Sequence, residues 1–178
     1  MSLRVLDETG RGDLGSLVEA LHYLDAFASR RIIVNLSLSL PPGVTSDLLH
    51  LAIKQAHDHG MLIVAASGNN GQGQVNYPAA YPEVLAVGAT TDQDQRWSLS
   101  NYGSALDVVA PGAGIYATTL NFTYVEDSGT SFATPHVSGL AALLWSAVPH
   151  LTADQIAEII RTTADDVNVE SQPGPDVY

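Results

Sequence analysis

The stretch SGTSFATPHVSGLAALLW, Ser128 to Trp145, sets Gly129, Thr130 and Ser131 directly ahead of a run with helical apolar spacing. A serine at a helix start is commonly only a cap, its hydroxyl accepting a bond from a free backbone N–H. A second chemistry suits the same place. In the first turn of a helix over Thr130 to Ala147, free N–H groups and the positive end of the dipole face outward and stabilise negative charge. A nucleophile whose attack creates an oxyanion would benefit from that field. Gly129 lets the backbone approach a substrate closely, and Pro135 is read as tolerable because the earliest helical N–H groups lack partners. Beyond it Val137, Leu140, Ala141 and Leu143 are small and apolar, which predicts a helix buried in a core.

The elements that must position this segment alternate between strand and helix. Leu14 to Ala28 carries Leu17, Ala20, Leu21, Leu24 and Phe27 on one stripe, and Ser46 or Asp47 caps a helix that runs to about His59 before Gly60. RIIVNLSL (Arg31 to Leu38), MLIVAAS, VLAVGA (Val84 to Ala89) and LDVVAPG read as buried parallel strands. RVLDETG reads as the end of a strand entering a loop, and GIYATTLNFTYVEDSG as a short hairpin. LTADQIAEIIRTTA is a last helix with Thr152 and Gln155 as a capping box, followed by a loop-like tail, ESQPGPDVY. The order predicts one α/β domain, three layers α/β/α around a mainly parallel sheet. The polar segments SLSLPPG and SGNNGQG then border one crevice at the carboxyl ends of the strands.

Composition narrows the partners. The 178 residues carry 19 acids against 7 bases, a net charge of −12, which repels the phosphates of nucleic acids and of anionic membranes. The chain has no cysteine, which excludes disulfides, thiolate catalysis and cysteine-based zinc sites. No apolar run reaches the ~20 residues of a membrane span. MSLRVLDETGRGD lacks the apolar centre of a signal peptide.

SGTSFATPHVSGLAALL resembles the nucleophile segment of the subtilases, the subtilisin-like serine peptidases, and IVAASGNNG resembles their oxyanion segment. NYPAAYPEVLAVGAT and SLSNYGSALDVVAPGAGIYAT match further family stretches, so that the resemblance runs from about residue 4 to about residue 165. It implies a partial subtilisin-like fold, a protein or peptide substrate, and a secreted or extracytoplasmic setting. Carried over residue by residue, it makes Ser131 the nucleophile and Asn69 the side-chain donor to the oxyanion, with the Ser131 N–H as the second donor. Asn70 is expected to be a left-handed turn residue.

The family's base sits in a His-Gly-Thr-His helix and its acid at an Asp-Thr/Ser-Gly strand end, and neither motif occurs in the chain. His136 lies five residues past Ser131, which at about 100° per residue turns it to another face. His57 and His59 sit at a helix end, and His22, His50 and His150 read as surface or packing residues. Asp7 and Asp13 fall in the loop ahead of the first helix. A serine without a base stays protonated and is a poor nucleophile. The resemblance thus implies the C-terminal part of a catalytic domain, nearly inert alone, whose remaining N-terminal segment carries the Asp and His. Two other readings stand beside it: a non-catalytic module that keeps the peptide groove, and half of a split peptidase.

The resemblance also implies walls for the first substrate pocket, Ser37, Leu38, Ser39 and Leu40 on one side and Ala65, Ala66, Ser67 and Gly68 on the other, with Asn76 adding a polar group at its floor. Ser39 and Leu40 replace two family glycines and add bulk. No metal is expected in the chemistry, although the carbonyls of Ala79, Tyr81 and Val84 match a weak cation site of some members. Cutting such a fold ahead of RIIVNLSL would bare a sheet edge. The expectation is then a homodimer that covers Arg31 to Leu38.

Overall fold

The computed structural model describes residues 1–119 and 123–166. Helix α1 (Leu14–Leu24) begins where the Asp13 carboxylate accepts the Ser16 N–H, and it buries Leu17, Val18, Leu21 and Leu24. A 3₁₀ turn, Asp25–Phe27, follows, so the helix stops short of Ala28 and Phe27 leaves the buried stripe. Strand β1 (Ile33–Leu36) leads to helix α2 (Asp47–Asp58), whose cap is Ser46, its hydroxyl accepting the Leu49 N–H. Gly60, at φ 81, ends that segment. Strands β2 (Leu62–Ala66), β3 (Val84–Thr90) and β4 (Val108–Pro111) complete a four-stranded parallel sheet ordered β1-β2-β3-β4. Strands β5 (Ile115–Thr118) and β6 (Tyr124–Asp127) pair antiparallel as the expected hairpin. Helix α3 spans Thr130–Ala147, and α4 (Ala153–Thr163) opens on the Thr152–Gln155 capping box.

Alternation along the strands makes three layers. Ile63, Ala65, Val84 and Ala86 turn to one face and pack with α1 and α2. Leu62, Val64, Leu85, Val87 and Ala89 turn to the other and pack with Ala133, Val137, Ala141 and Trp145 of α3 and with Ile156 and Ile160 of α4. Both faces of the sheet are thus covered, which is why the strands read as unbroken apolar runs.

Three expectations are corrected. Residues 4–10 form no strand; they bend around Asp7, whose Oδ1 accepts the N–H groups of Thr9 and Arg11. The strand expected over Arg31 to Leu38 is confined to Ile33–Leu36, because its register with β2 ends at Leu36↔Ala65 and Ser37 turns toward α3. Helix α3 is only half buried. One stripe, Ala133, Val137, Ala141 and Trp145, seats on the sheet, while Leu140 is 46% and Leu143 72% exposed. Small apolar residues all round the helix hid that one-sidedness from the sequence. The tail from residue 167 lies outside the described residues. Among those described, β1 pairs only with β2, and along its free edge runs a groove of 640 Å³ lined by residues including Leu17, Leu21, Leu24 and Val34.

Candidate active site

The carboxyl ends of β1 and β2 and the first turn of α3 meet at one edge of the sheet. Gly129 is the N-cap of α3, in extended conformation at φ 167, with its N–H on the Gly112 carbonyl at 2.8 Å. Thr130 and Ser131 are therefore the first two helical residues, and the serine does not cap. Capping falls to Asn69. Its Oδ1 accepts both the Thr130 N–H at 2.9 Å and the Thr130 hydroxyl at 2.8 Å. Thr130 is wholly buried; its Oγ1 also accepts the Gly68 N–H, and its carbonyl accepts the Thr134 hydroxyl at 2.7 Å.

This fixes which way the Asn69 amide faces. With Oδ1 held by two donors, Nδ2 is turned to the open side of Gly129. A Cβ built on Gly129 would lie 3.4 Å from Asn69 Nδ2 and 3.7 Å from the Ser131 nitrogen. The Asn69 Nδ2 and Ser131 nitrogens thus both lie within 4 Å of one point over Gly129, with Phe132 Cδ2 at 3.6 Å from it.

Ser131 is tied to the end of β1 by an exchange of bonds. Its Oγ donates to the Ser37 carbonyl at 3.1 Å, and the Ser37 hydroxyl donates to the Ser131 carbonyl at 2.8 Å. Pro135 explains the second bond and corrects the sequence reading of that proline. Pro135 lies beyond the first turn, where its N–H would have been the helical partner of the Ser131 carbonyl. The missing donor leaves that carbonyl to Ser37. Asn35 backs the pair, its Nδ2 donating to Ser37 Oγ at 3.0 Å and its Oδ1 accepting the Ser138 hydroxyl at 2.9 Å.

No histidine bonds to Ser131 among the described residues. His136 Nδ1 meets the Phe132 carbonyl at 2.8 Å, His57 pairs with Asp154, His59 with Asp25 and His50 with Glu83. Asp13 is spent on the α1 cap and Asp7 on its own loop; in both, hydrogen bonds to the carboxylate lower the pKa, those of Ser16 for Asp13 and those of Thr9 and Arg11 for Asp7. Neither Asp nor any His here completes a relay.

The remaining sequence-derived residues follow the ends of two adjacent strands. Ser37 and Leu38 are half-buried and Ser39 is exposed beyond β1; Ala66, Ser67 and Gly68 are buried at the end of β2. The Leu40 N–H donates to the Tyr77 carbonyl at 2.6 Å, joining the segment after β1 to the loop that carries Asn76. Asn76 is only 4% exposed, and its Nδ2 donates to Asn70 Oδ1 at 3.2 Å. The left-handed positions of the intervening loop are Gly68 (φ 110) and Gly71 (φ 64), not Asn70. Asn70 instead receives Asn76 and donates its N–H to Asn101 Oδ1 at 2.9 Å. Of the three candidate cation-binding carbonyls, that of Tyr81 accepts the Val84 N–H at 3.0 Å. All three are neutral donors, and a cation held by them would be held weakly.

Sequence reasoning missed Thr130 as the anchor of Asn69, Ser37 as the partner of the Ser131 carbonyl, and Asn101 beneath the loop. Gly112 was missed too. A Cβ there would lie 2.6 Å from Ala89 Cβ and 2.8 Å from the Gly129 carbonyl. Gly112→Ala is expected to destabilise the protein by about 1–3 kcal/mol through overpacking, read as a lower urea midpoint at unchanged slope. An unchanged midpoint would mean that the start of α3 can shift freely.

The Subtilase family model matches residues 1–176. The chain is 44% identical over 169 residues to the minor extracellular protease Epr of Bacillus subtilis, covering 93% of this chain and 25% of that protein. It is 41% identical over 164 residues to Subtilisin Savinase of Lederbergia lenta, covering 92% of this chain and 59% of that one. Among solved structures, a cold-adapted subtilisin-like serine proteinase superposes with a TM-score of 0.86 at 34% identity, covering 94% of this chain and 60% of the other. The chain thus spans between a quarter and three-fifths of the length of these relatives. A parallel sheet with Gly-Thr-Ser at the head of its central helix, matched along nearly its whole length, makes this chain a member of the subtilase family, the subtilisin-like serine peptidases.

Proposed function

We propose that the chain carries the nucleophile and the oxyanion site of a serine endopeptidase, with Ser131 as nucleophile and Asn69 Nδ2 and the Ser131 N–H as oxyanion donors. One observation supports the reading: the Asn69 Nδ2 and Ser131 nitrogens both lie within 4 Å of the same point over Gly129. Ser131 Oγ attacks the scissile carbonyl carbon while a base accepts its proton. The carbonyl π pair moves onto oxygen, where the two donors stabilise it. Collapse expels the amine, which takes the proton from the base, and water then hydrolyses the acyl-serine by the same route.

The base and its acid come from a segment outside these 178 residues, whether in the same chain or another. The free edge of β1 and the apolar groove beside it support its docking there. Bound substrate lies between the Ser37–Ser39 and Ala66–Gly68 walls. The name of the extracellular relative supports an extracytoplasmic setting, and among the described residues no helix is long and apolar enough to cross a membrane. A second reading, a peptide-binding module without turnover, is favoured by the Ser131 hydroxyl donating to a carbonyl rather than to a base.

Hydrolysis of casein or a peptidyl p-nitroanilide by the full-length protein separates the two. The peptidase reading predicts turnover that Ser131→Ala reduces by at least ~10⁴-fold, since a triad member carries about that much. Activity unchanged in Ser131→Ala, or none from the full-length protein assayed together with the segment that supplies the base, contradicts it.

A further inference from the structure

The loop that carries Asn69 has no ladder of its own, and one residue from another part of the chain, Asn101, supplies five of its bonds. Asn101, between β3 and β4, is fully buried. Its Oδ1 accepts the Asn70 N–H at 2.9 Å and the Gln72 N–H at 3.2 Å, and its Nδ2 donates to the Ser67 carbonyl at 3.3 Å. Its backbone N–H donates to the Gly68 carbonyl at 3.0 Å, and its own carbonyl accepts the Ser67 hydroxyl at 3.2 Å. Residues on both sides of Asn69 are thereby fixed to a single side chain that mimics a backbone partner, donating and accepting at once. Asn69 itself reaches only forward, to Thr130.

Asn101 needs a brace of its own, because residues 97–101 are not in regular structure. Arg96 supplies it. One guanidinium nitrogen lies 2.7 Å from the Ser100 carbonyl, with the Trp97 and Ser98 carbonyls at 3.3 and 3.4 Å, and the guanidinium carbon sits 4.7 Å over the Tyr102 ring. Bonds from a charged donor are stronger than neutral ones, and a planar cation over an aromatic face adds to them. The Gly71 N–H on the Leu99 carbonyl and the Tyr102 N–H on the Gln72 carbonyl complete the clamp between the two loops.

We propose that Asn101 is a positioning residue for the Asn69 donor and that Arg96 holds Asn101 in place. The inference rests on the reading of Asn69 as an oxyanion donor. A shift of about 1 Å in a catalytic group can cost ~10² in rate, and loss of the Asn101 amide would release the Ser67 carbonyl before Asn69 and the Asn70 and Gln72 N–H groups after it from this side chain. Asn101→Asp keeps an acceptor for the Asn70 and Gln72 N–H groups, but it sets a carboxylate oxygen against the Ser67 carbonyl. Arg96→Met keeps an aliphatic stem over Tyr102 and removes the donors.

The test uses the full-length protein with a peptidyl p-nitroanilide, each variant made alone and together with Asn69→Ala. Asn101→Asp is expected to lower kcat ~10- to 10²-fold with KM nearly unchanged, and Arg96→Met to lower it severalfold. In the Asn69→Ala background neither should lower kcat further, because residues that act through one another are not additive. A merely structural role would lower kcat equally in both backgrounds, and that result overturns the proposal, as would a rise in KM at constant kcat. If Asn101→Asp does not fold, Arg96→Met carries the same cycle. If Asn69→Ala lowers kcat and neither other variant does, the proposal alone falls. If Asn69→Ala leaves kcat unchanged, the oxyanion reading fails and takes this inference with it.

Discussion

Replacing Gly129 by alanine is expected to leave the protein folded and to lower its turnover by ~10²–10³, the scale on which an oxyanion donor acts. The backbone at Gly129 is extended, a conformation open to any residue. The nearest atoms to the added methyl would be Asn69 Nδ2 at 3.4 Å, Phe132 Cδ2 at 3.6 Å and the Ser131 nitrogen at 3.7 Å, all ordinary contacts. Stability should therefore move by no more than about 0.5 kcal/mol. The methyl would nevertheless occupy the space between the two donors and keep a substrate oxygen from reaching both. Gly129→Ala thus separates chemistry from folding, whereas Gly112→Ala, pressed against Ala89 and the Gly129 carbonyl, costs folding first. Kinetics alongside a thermal melt would check it: an unchanged kcat would show that no oxyanion forms there.

The second large effect is expected at Asn69, where two substitutions separate the observed helix cap from the proposed donor role. Asn69→Ala removes the donor, for an expected loss of ~10²–10³ in kcat; subtilisin loses that much without its own donor asparagine. It also removes the acceptor for the Thr130 N–H, a helix cap worth ~1 kcal/mol. Asn69→Asp keeps the cap and replaces the donor with a carboxylate oxygen, which repels a developing negative charge. It should therefore be at least as slow as Asn69→Ala while keeping more of the stability. An Asn69→Asp enzyme faster than Asn69→Ala would show that the cap, not the donor, is what turnover needs.

The contrast between these positions also shows what could be read from the sequence. Strand and helix order, the ends of α3, the Ser46 cap and the Thr152–Gln155 box were legible because each depends on neighbours within a turn or two. Asn69 and Ser131 were legible through family resemblance. The surroundings of Ser131 were not. The Ser37–Ser131 exchange joins residues 94 apart, and the Asn70–Asn101 bond joins residues 31 apart. Periodicity carries no such pairing. Pro135 was misread although the expected helix start, Thr130, is the observed one: five residues on, it lies past the free N–H groups and opposite the Ser131 carbonyl. A polar Ser100-Asn101 pair between two buried strands was the one local signal for the clamp, and it is fully buried.

Ser131 is proposed as a nucleophile whose activating base lies outside these 178 residues. Reaction with a fluorophosphonate, mapped by peptide mass spectrometry, tests it directly, since the reagent bonds to an activated serine oxygen and releases fluoride. Rapid stoichiometric labelling at Ser131 is expected in the full-length protein, abolished by Ser131→Ala, with almost none in the 178-residue chain alone. Rapid labelling of Ser131 in the isolated chain, or labelling of the full-length protein at another serine, would contradict it.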